Sequence, residues 1–198
     1  MLRNCSQKLS QMIISELGYE KYDREILEYG FEILLGMTFK FFSILVVSLI
    51  LHTLPETMLS LLAFALIRNF AGGAHLKTYA SCYATGVCMF ALNGLIIKYL
   101  PFYMNHLIIV SDIFFIISLF ITLKWVPAGT EKKVVSDLFT RRKLKGITII
   151  TLGVLFILTH IFYFIGNYNL LKAVFCGVLE GMFLVTPLGY KMLRVSYH

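Results

Sequence analysis

Hydrophobic residues form long stretches along this chain, and most of the charged residues lie outside them, in the N-terminal segment and in the connections. A bilayer core about 30 Å thick needs about 20 apolar helical residues, and several stretches reach that length. The pattern therefore predicts an all-α membrane protein, a six-helix transmembrane bundle preceded by an amphipathic cytoplasmic N-terminal helical segment. The predicted spans are residues 33–54, 57–74, 79–99, 105–125, 146–165 and 170–190.

The second predicted span is the weakest of the six. Only residues 58–67 are cleanly apolar before Arg68 and Asn69 interrupt the stretch. We expect this span to be short, tilted or re-entrant, since irregular backbone at membrane depth is tolerated where protein surrounds it.

The N-terminal segment, residues 1–32, has apolar residues close to the spacing of an amphipathic helix, and Gly18 is expected to separate two short interfacial helices. Such helices lie on the cytoplasmic face of a bilayer, form a groove for an amphipathic partner or pack on their own bundle. The pattern leaves these alternatives open.

The composition supports the membrane interpretation. Of the 198 residues, 58% are hydrophobic and 15% are charged, whereas an ordinary soluble domain has about 45–50% and about 25%. This excludes a disordered chain, a nucleic-acid-binding domain and a disulfide-rich secreted module. The length fits one membrane-embedded domain, residues 1–198.

Lysine and arginine give the chain a formal net charge of +7, and they concentrate in alternate connections. These connections precede span one, join spans two and three, join spans four and five at residues 126–145, and follow span six. Because basic loops stay in the cytoplasm, both termini and the basic loop of residues 126–145 are predicted to be cytoplasmic. The positive charge of these connections favours this orientation and an anionic lipid bilayer as the partner of the chain. Attraction of an acidic peptide by the basic loop is the alternative.

One polar cluster, residues 68–82, lies between spans two and three and holds a histidine and a cysteine. A cysteine nucleophile needs a base, and imidazole is a common one. In one straight helix, His75 and Cys82 would be separated by about 10.5 Å of rise, which is too far for proton transfer. A cysteine–histidine pair therefore requires a break in the helix between Gly72 and Ser81. On residue types alone, a single His and a single Cys near a membrane interface are more often structural.

The order Arg68-x-x-x-Gly-Gly-x-His75, followed by Cys82 after a short span, resembles the accessory gene regulator protein B (AgrB) family of membrane cysteine endopeptidases. The six-segment pattern and two short matches, Glu28-Tyr29-Gly30 and Pro127-Ala128-Gly129-Thr130-Glu131, support the resemblance. Val134 stands where the family often has a second proline, which concerns the conformation of the basic loop and not the chemistry.

The resemblance implies a multi-pass protein of the cell membrane of a Gram-positive bacterium. It would cleave the C-terminal tail from a small precursor signal peptide and cyclise the remainder to a thiolactone or lactone quorum-sensing signal. Cys82 would be the nucleophile and His75 the base, while Arg68, Gly72 and Gly73 would bind substrate or the oxyanion. A homodimer that completes the pair in trans is the alternative to a pair within one chain.

No cofactor or metal is expected from the sequence. Cys5, Cys88 and Cys176 form no CxxC pair with each other or with Cys82, and His160 has no ligand partner at metal-binding spacing. These three cysteines are interpreted as inert small side chains, with Cys88 as the rival nucleophile.

Three ionisable residues, Lys40, Asp112 and Glu180, fall inside predicted spans, where charge is costly. A mutual ion-pair network is the favoured interpretation, and a polar chamber facing the substrate is the alternative. A small peptide transporter or exporter without proteolytic activity, or a non-catalytic membrane binding protein, are the competing functions. Inverted repeats would favour the transporter, and the sequence has no such symmetry.

Overall fold

A computed structural model of the protein describes residues 2–17, 21–76, 78–100, 104–129 and 137–193, and the regular elements in these ranges are helices. The chain divides into two units, Met1–Val46 and Val47–His198. The helices are α1 (Leu2–Leu17), α2 (Lys21–Ile50), α3 (Leu54–Ala71), α4 (Tyr79–Tyr99), α5 (Met104–Trp125), α6 (Leu138–Ile165), α7 (Tyr168–Phe183) and α8 (Pro187–Met192).

Five helices in the described ranges are long and apolar enough to cross a membrane. They overlap the first five predicted spans, with shifted ends, and confirm the helical membrane character of the chain. The candidate spans are Arg24–Ile50, Leu54–Ala71, Tyr79–Tyr99, His106–Trp125 and Leu138–Ile165.

The sixth predicted span, residues 170–190, is divided into two helices. α7 has 16 residues and ends at Phe183, and α8 begins at Pro187. Thr186 caps α8, since its side chain accepts a hydrogen bond from the Gly189 N–H at 3.3 Å. A capping threonine followed by proline at the first helical position is a strong signal for a helix start, and it explains why the apolar stretch does not form one helix.

The N-terminal unit contains α1 and most of α2. α2 is continuous from Lys21 to Ile50, so the second of the two expected interfacial helices and the first span are one element. The prediction of a separate short helix there is wrong, because residues 21–32 contain no proline, and the single glycine in this range, Gly30, is tolerated inside the helix. Gly18, the expected boundary between the helices, lies outside the described residues.

The second unit is organised around α3, which packs most extensively on α7 and also contacts α4 and α6. α3 is a regular helix and is the shortest of the five candidate spans at 18 residues. Small residues let α3 and α7 approach closely. A Cβ on Gly177 would lie 2.9 Å from Ala63 Cβ, and one on Gly181 would lie 2.9 Å from Ile67 Cγ2.

The buried core continues from α3 and α7 to the end of the bundle where α3 stops. There it includes residues from the segment after α5 and from α8, which brings four parts of the chain together. Its members at this end are Ile67, Ala71, Ala74, Val126, Ala128, Met182, Val185 and Tyr190.

Candidate active site

Residues 72–76, the linker, follow α3 with a backbone that is not helical. α3 ends at Ala71, and the next residues, Gly72 and Gly73, have φ of 73° and 117°. Residues with a Cβ rarely adopt positive φ, so the glycines permit this turn. α4 begins only at Tyr79, which confirms the helix break expected between the two catalytic candidates.

Backbone hydrogen bonds from two distant segments hold the linker in place. The Gly73 N–H donates to the Ala128 carbonyl at 3.0 Å, and the Ala128 N–H donates to the Ala71 carbonyl at 2.8 Å. The Ala74 N–H donates to the Leu184 carbonyl at 2.9 Å, in the turn between α7 and α8. The linker is therefore positioned by the segment after α5 and by the end of α7.

Tyr190 supports the same region from α8. Its side chain is only 1% exposed, and its hydroxyl donates to the Gly129 carbonyl at 2.7 Å. Gly129 directly follows the residue that pairs with the linker, so this bond fixes the supporting segment. Sequence reasoning missed Tyr190, because it treated this residue as the end of the sixth span. The Thr186-Pro187 pair was the signal for the additional helix.

Arg68, in the last turn of α3, binds the linker with both terminal nitrogens of its guanidinium. Nη1 donates to the Gly72 carbonyl at 2.7 Å, and Nη2 donates to the Ala74 carbonyl at 2.9 Å. Nη2 also lies 2.9 Å from His75 Nε2. The planar fork of arginine suits several simultaneous acceptors, which a lysine could not satisfy in the same way. Arg68 thus connects α3 to the histidine of the candidate pair.

Cys82 is the fourth residue of α4, and its half-buried thiol is in no disulfide. Thr78 caps this helix by accepting a hydrogen bond from the Ser81 N–H at 3.2 Å, and the Cys82 N–H donates to the Thr78 carbonyl at 3.1 Å. Cys82 therefore lies in the first turn of a capped helix. The guanidinium of Arg68 is also close enough for electrostatic interaction with Cys82.

His75 is exposed on the linker, and its approach to the Cys82 sulfur stays a prediction. The structure brings both residues to the junction of α3 and α4, with Arg68 interacting with each of them.

The amides of the glycine pair already have acceptors. The Gly72 N–H donates to the Arg68 carbonyl at 3.2 Å, and the Gly73 N–H donates to the Ala128 carbonyl. Both groups therefore serve the geometry of the linker in this state, and either would have to exchange its partner before it could bind an oxyanion.

The acidic residues inside the bundle have partners other than each other. Asp112 on α5 faces His160 on α6, with 3.5 Å between Oδ1 and Nε2. Glu180 on α7 accepts a hydrogen bond from Asn93 Nδ2 on α4 at 2.7 Å. The structure shows these two contacts in place of the expected mutual ion-pair network. The partners come from neighbouring helices, and the sequence does not specify which helices pack together. Lys40 belongs to the N-terminal unit.

The remaining cysteines are also free thiols: Cys5 and Cys88 are exposed, and Cys176 is half-buried. Within the ranges that the structure describes, no group of three or more His, Cys, Asp or Glu residues is arranged to hold a metal ion.

Comparison with known proteins gives a consistent result over most of the chain. A family model described as accessory gene regulator B matches residues 6–186. A putative AgrB-like protein of Clostridium perfringens (strain SM101 / Type A) is 27% identical over 188 residues, covering 92% of this chain and 88% of that protein. The accessory gene regulator protein B of Staphylococcus aureus (strain Newman) is 33% identical over 132 residues, 67% of each chain. No solved structure matches the chain.

Proposed function

Because the chain belongs to the accessory gene regulator B family, we propose that it is a membrane cysteine endopeptidase that processes and cyclises a small precursor signal peptide in quorum sensing. One observation carries the proposal. The linker carries His75, which lies 2.9 Å from the Arg68 guanidinium, and the helix that follows holds the half-buried thiol of Cys82 in its first turn.

In the first step, His75 accepts the proton of the Cys82 thiol, and the thiolate sulfur attacks the carbonyl carbon at the end of the future ring. The carbon–nitrogen bond then breaks, and the leaving amine of the C-terminal tail takes the proton from the imidazole. The product is a thioester between Cys82 and the retained part of the precursor.

In the second step, a side chain of the precursor attacks the thioester. A cysteine thiol gives a thiolactone and a serine hydroxyl gives a lactone, and the proton of the nucleophile returns through His75 to the Cys82 sulfur. Cyclisation must be faster than hydrolysis. An internal nucleophile held close to the thioester has a high effective molarity, which favours ring closure over attack by water.

We place the site at the cytoplasmic face, with both termini in the cytoplasm and α7 as a sixth crossing. α7 has 16 residues and is about 24 Å long, so it comes close to the thickness of the hydrocarbon core. The turn at Leu184 that holds the linker would then lie at the inner interface, where a precursor lying on the membrane surface can reach Cys82.

The decisive experiment replaces Cys82 by alanine and coexpresses the variant with a tagged candidate precursor, chosen as a short open reading frame near the gene that encodes an amphipathic peptide with an acidic end. We expect no cleavage on a gel. Cys88→Ala is the matched control, because Cys88 is a free, exposed thiol on the same helix and its variant should cleave normally. Cys5→Ala and Cys176→Ala should also cleave. Cleavage by the Cys82 variant at the rate of the unmodified protein would refute a cysteine protease and favour a transporter.

A further inference from the structure

The contact between Arg68 and His75 fixes the protonation form of the imidazole. A guanidinium has five N–H donors and no acceptor, and it stays charged in proteins. At 2.9 Å from Arg68 Nη2, His75 Nε2 must therefore present its lone pair. The single ring proton is then on Nδ1, and the ring is neutral, because protonation of both nitrogens would set two donors against each other.

The guanidinium is itself held independently of the imidazole. Nη1 and Nη2 donate to the carbonyls of Gly72 and Ala74, which accept at any pH. The guanidinium also lies directly against the linker backbone, since a Cβ on Gly73 would overlap Arg68 Nη1. Arg68 is thus a fixed donor beside the linker, and its position does not depend on the state of His75.

The same guanidinium interacts electrostatically with Cys82 and with the phenol of Tyr190. The phenol of Tyr79 also interacts with Cys82. Phenols are uncharged near neutral pH. Arg68 is therefore the only charged group among these three partners, and its charge is positive.

We propose that Arg68 is a positioning residue that keeps His75 as the neutral Nδ1–H tautomer in the substrate-free protein and changes its partner to the Cys82 thiolate when Nε2 takes the thiol proton. The inference rests on the proposed cysteine–histidine pair. In this step the S–H bond breaks and the Nε2–H bond forms, and the hydrogen bond from Nη2 to Nε2 is replaced by one from Nη2 to the sulfur. No other reactant is needed.

The tautomer is measured by ¹⁵N NMR of the full-length protein in nanodiscs, labelled at its histidine rings. His75→Gln identifies the His75 signals by their loss. We expect a protonated Nδ1 and an unprotonated, hydrogen-bonded Nε2. In Arg68→Met, which has no donor, the Nε2 signal of an accepted hydrogen bond should disappear and the Nε2–H form should become populated. A protonated Nε2 in the unmodified protein, or an unchanged tautomer in Arg68→Met, would overturn the proposal.

The charge is tested by the rate at which iodoacetamide alkylates Cys82 at neutral pH, in a background that lacks Cys5, Cys88 and Cys176. Arg68→Met should react several-fold more slowly, while Arg68→Lys keeps the charge and should lie between it and the unmodified protein. Arg141→Gln removes a cation from an exposed turn of α6 and should leave both readouts unchanged. Equal rates in Arg68→Met and the unmodified protein would refute the switch of partners.

Circular dichroism separates these effects from loss of fold, because Arg68 also holds the linker. If Arg68→Met does not fold, the tautomer of the unmodified protein and the Arg68→Lys variant decide the question. Neither readout uses a precursor. Cleavage by the Cys82→Ala variant would therefore reject the proposed function without changing the tautomer result. An Nε2–H tautomer of His75 in the unmodified protein would reject the role of Arg68, even if cleavage depended on Cys82.

Discussion

Gly72 packs against the backbone of Ala128 so closely that the position has no room for a β-carbon. The two residues form an isolated parallel bridge, and a Cβ on Gly72 would overlap the Ala128 carbonyl oxygen and lie 3.3 Å from its carbonyl carbon. This contact sets the distance between the linker and the segment after α5, and thereby the position of every residue that follows Gly72 toward His75.

Gly72→Ala should therefore prevent cleavage of the precursor and destabilise the protein. The backbone of Gly72, with φ 73° and ψ −143°, lies near a region that is essentially restricted to glycine, so a side chain there costs about 1–3 kcal/mol, and the overlap with Ala128 adds to this. The measurements are precursor cleavage and thermal unfolding in detergent. Gly166→Ala is the control for a positive φ away from the linker, because Gly166 is left-handed, with φ 79° and ψ 13°, and has open space around it. If Gly166→Ala abolished cleavage equally, the geometry of the linker at Gly72 would not be the cause.

His75→Ala should insert into the membrane normally and cleave the precursor about 10²- to 10⁴-fold more slowly, as expected for loss of a general base. Initial rates of cleavage in isolated membranes, normalised to the amount of enzyme, measure this effect. A rate equal to that of the unmodified protein would show that Cys82 is activated by Arg68 and the start of α4 without a base.

The contact between Asn93 and Glu180 should contribute to stability inside the bundle. Asn93→Ala removes the 2.7 Å donor and leaves a buried oxygen without its bond, which typically destabilises a protein by about 1–3 kcal/mol. Glu180→Gln keeps an oxygen that can accept the same bond and should have a smaller effect. Unfolding in detergent measures both, and a larger loss in Glu180→Gln would show that the charge of Glu180 matters more than the hydrogen bond.

The orientation is tested by single cysteines placed in a cysteine-free background. Cysteines at positions 55, 104 and 167 should react with a membrane-impermeant maleimide added outside intact cells, because the connections near them lack lysine and arginine. A cysteine at position 137, before α6, should react only after the cells are opened. Labelling of position 137 from outside would reverse the proposed topology.

Local chemistry in the sequence was sufficient to predict the five long apolar helices and the break between Gly72 and Ser81. Apolar length gives the spans, and the distance between His75 and Cys82 in a straight helix requires a bend for the proposed chemistry. The support of the linker by Ala128 and Leu184 was not predictable in the same way. These are backbone hydrogen bonds between segments far apart in the sequence, and a carbonyl group has no residue type that marks it.

The role of Arg68 shows the same limit at the level of a side chain. Its place in the motif indicated an anion partner, such as a substrate or an oxyanion. In the structure its donors reach Gly72, Ala74 and His75, because the positive φ of the glycines turns the linker back toward the end of α3. Only the folded backbone places these acceptors within reach.

The support of the linker by Leu184 has a consequence for synthesis of the protein. Cys82 is translated before Leu184 and Tyr190, so a growing chain carries the proposed nucleophile without the contacts that support the linker. On the proposed cysteine–histidine mechanism, a polypeptide that still lacks α7 and α8 cannot position His75, and we expect it to be latent toward precursor peptides.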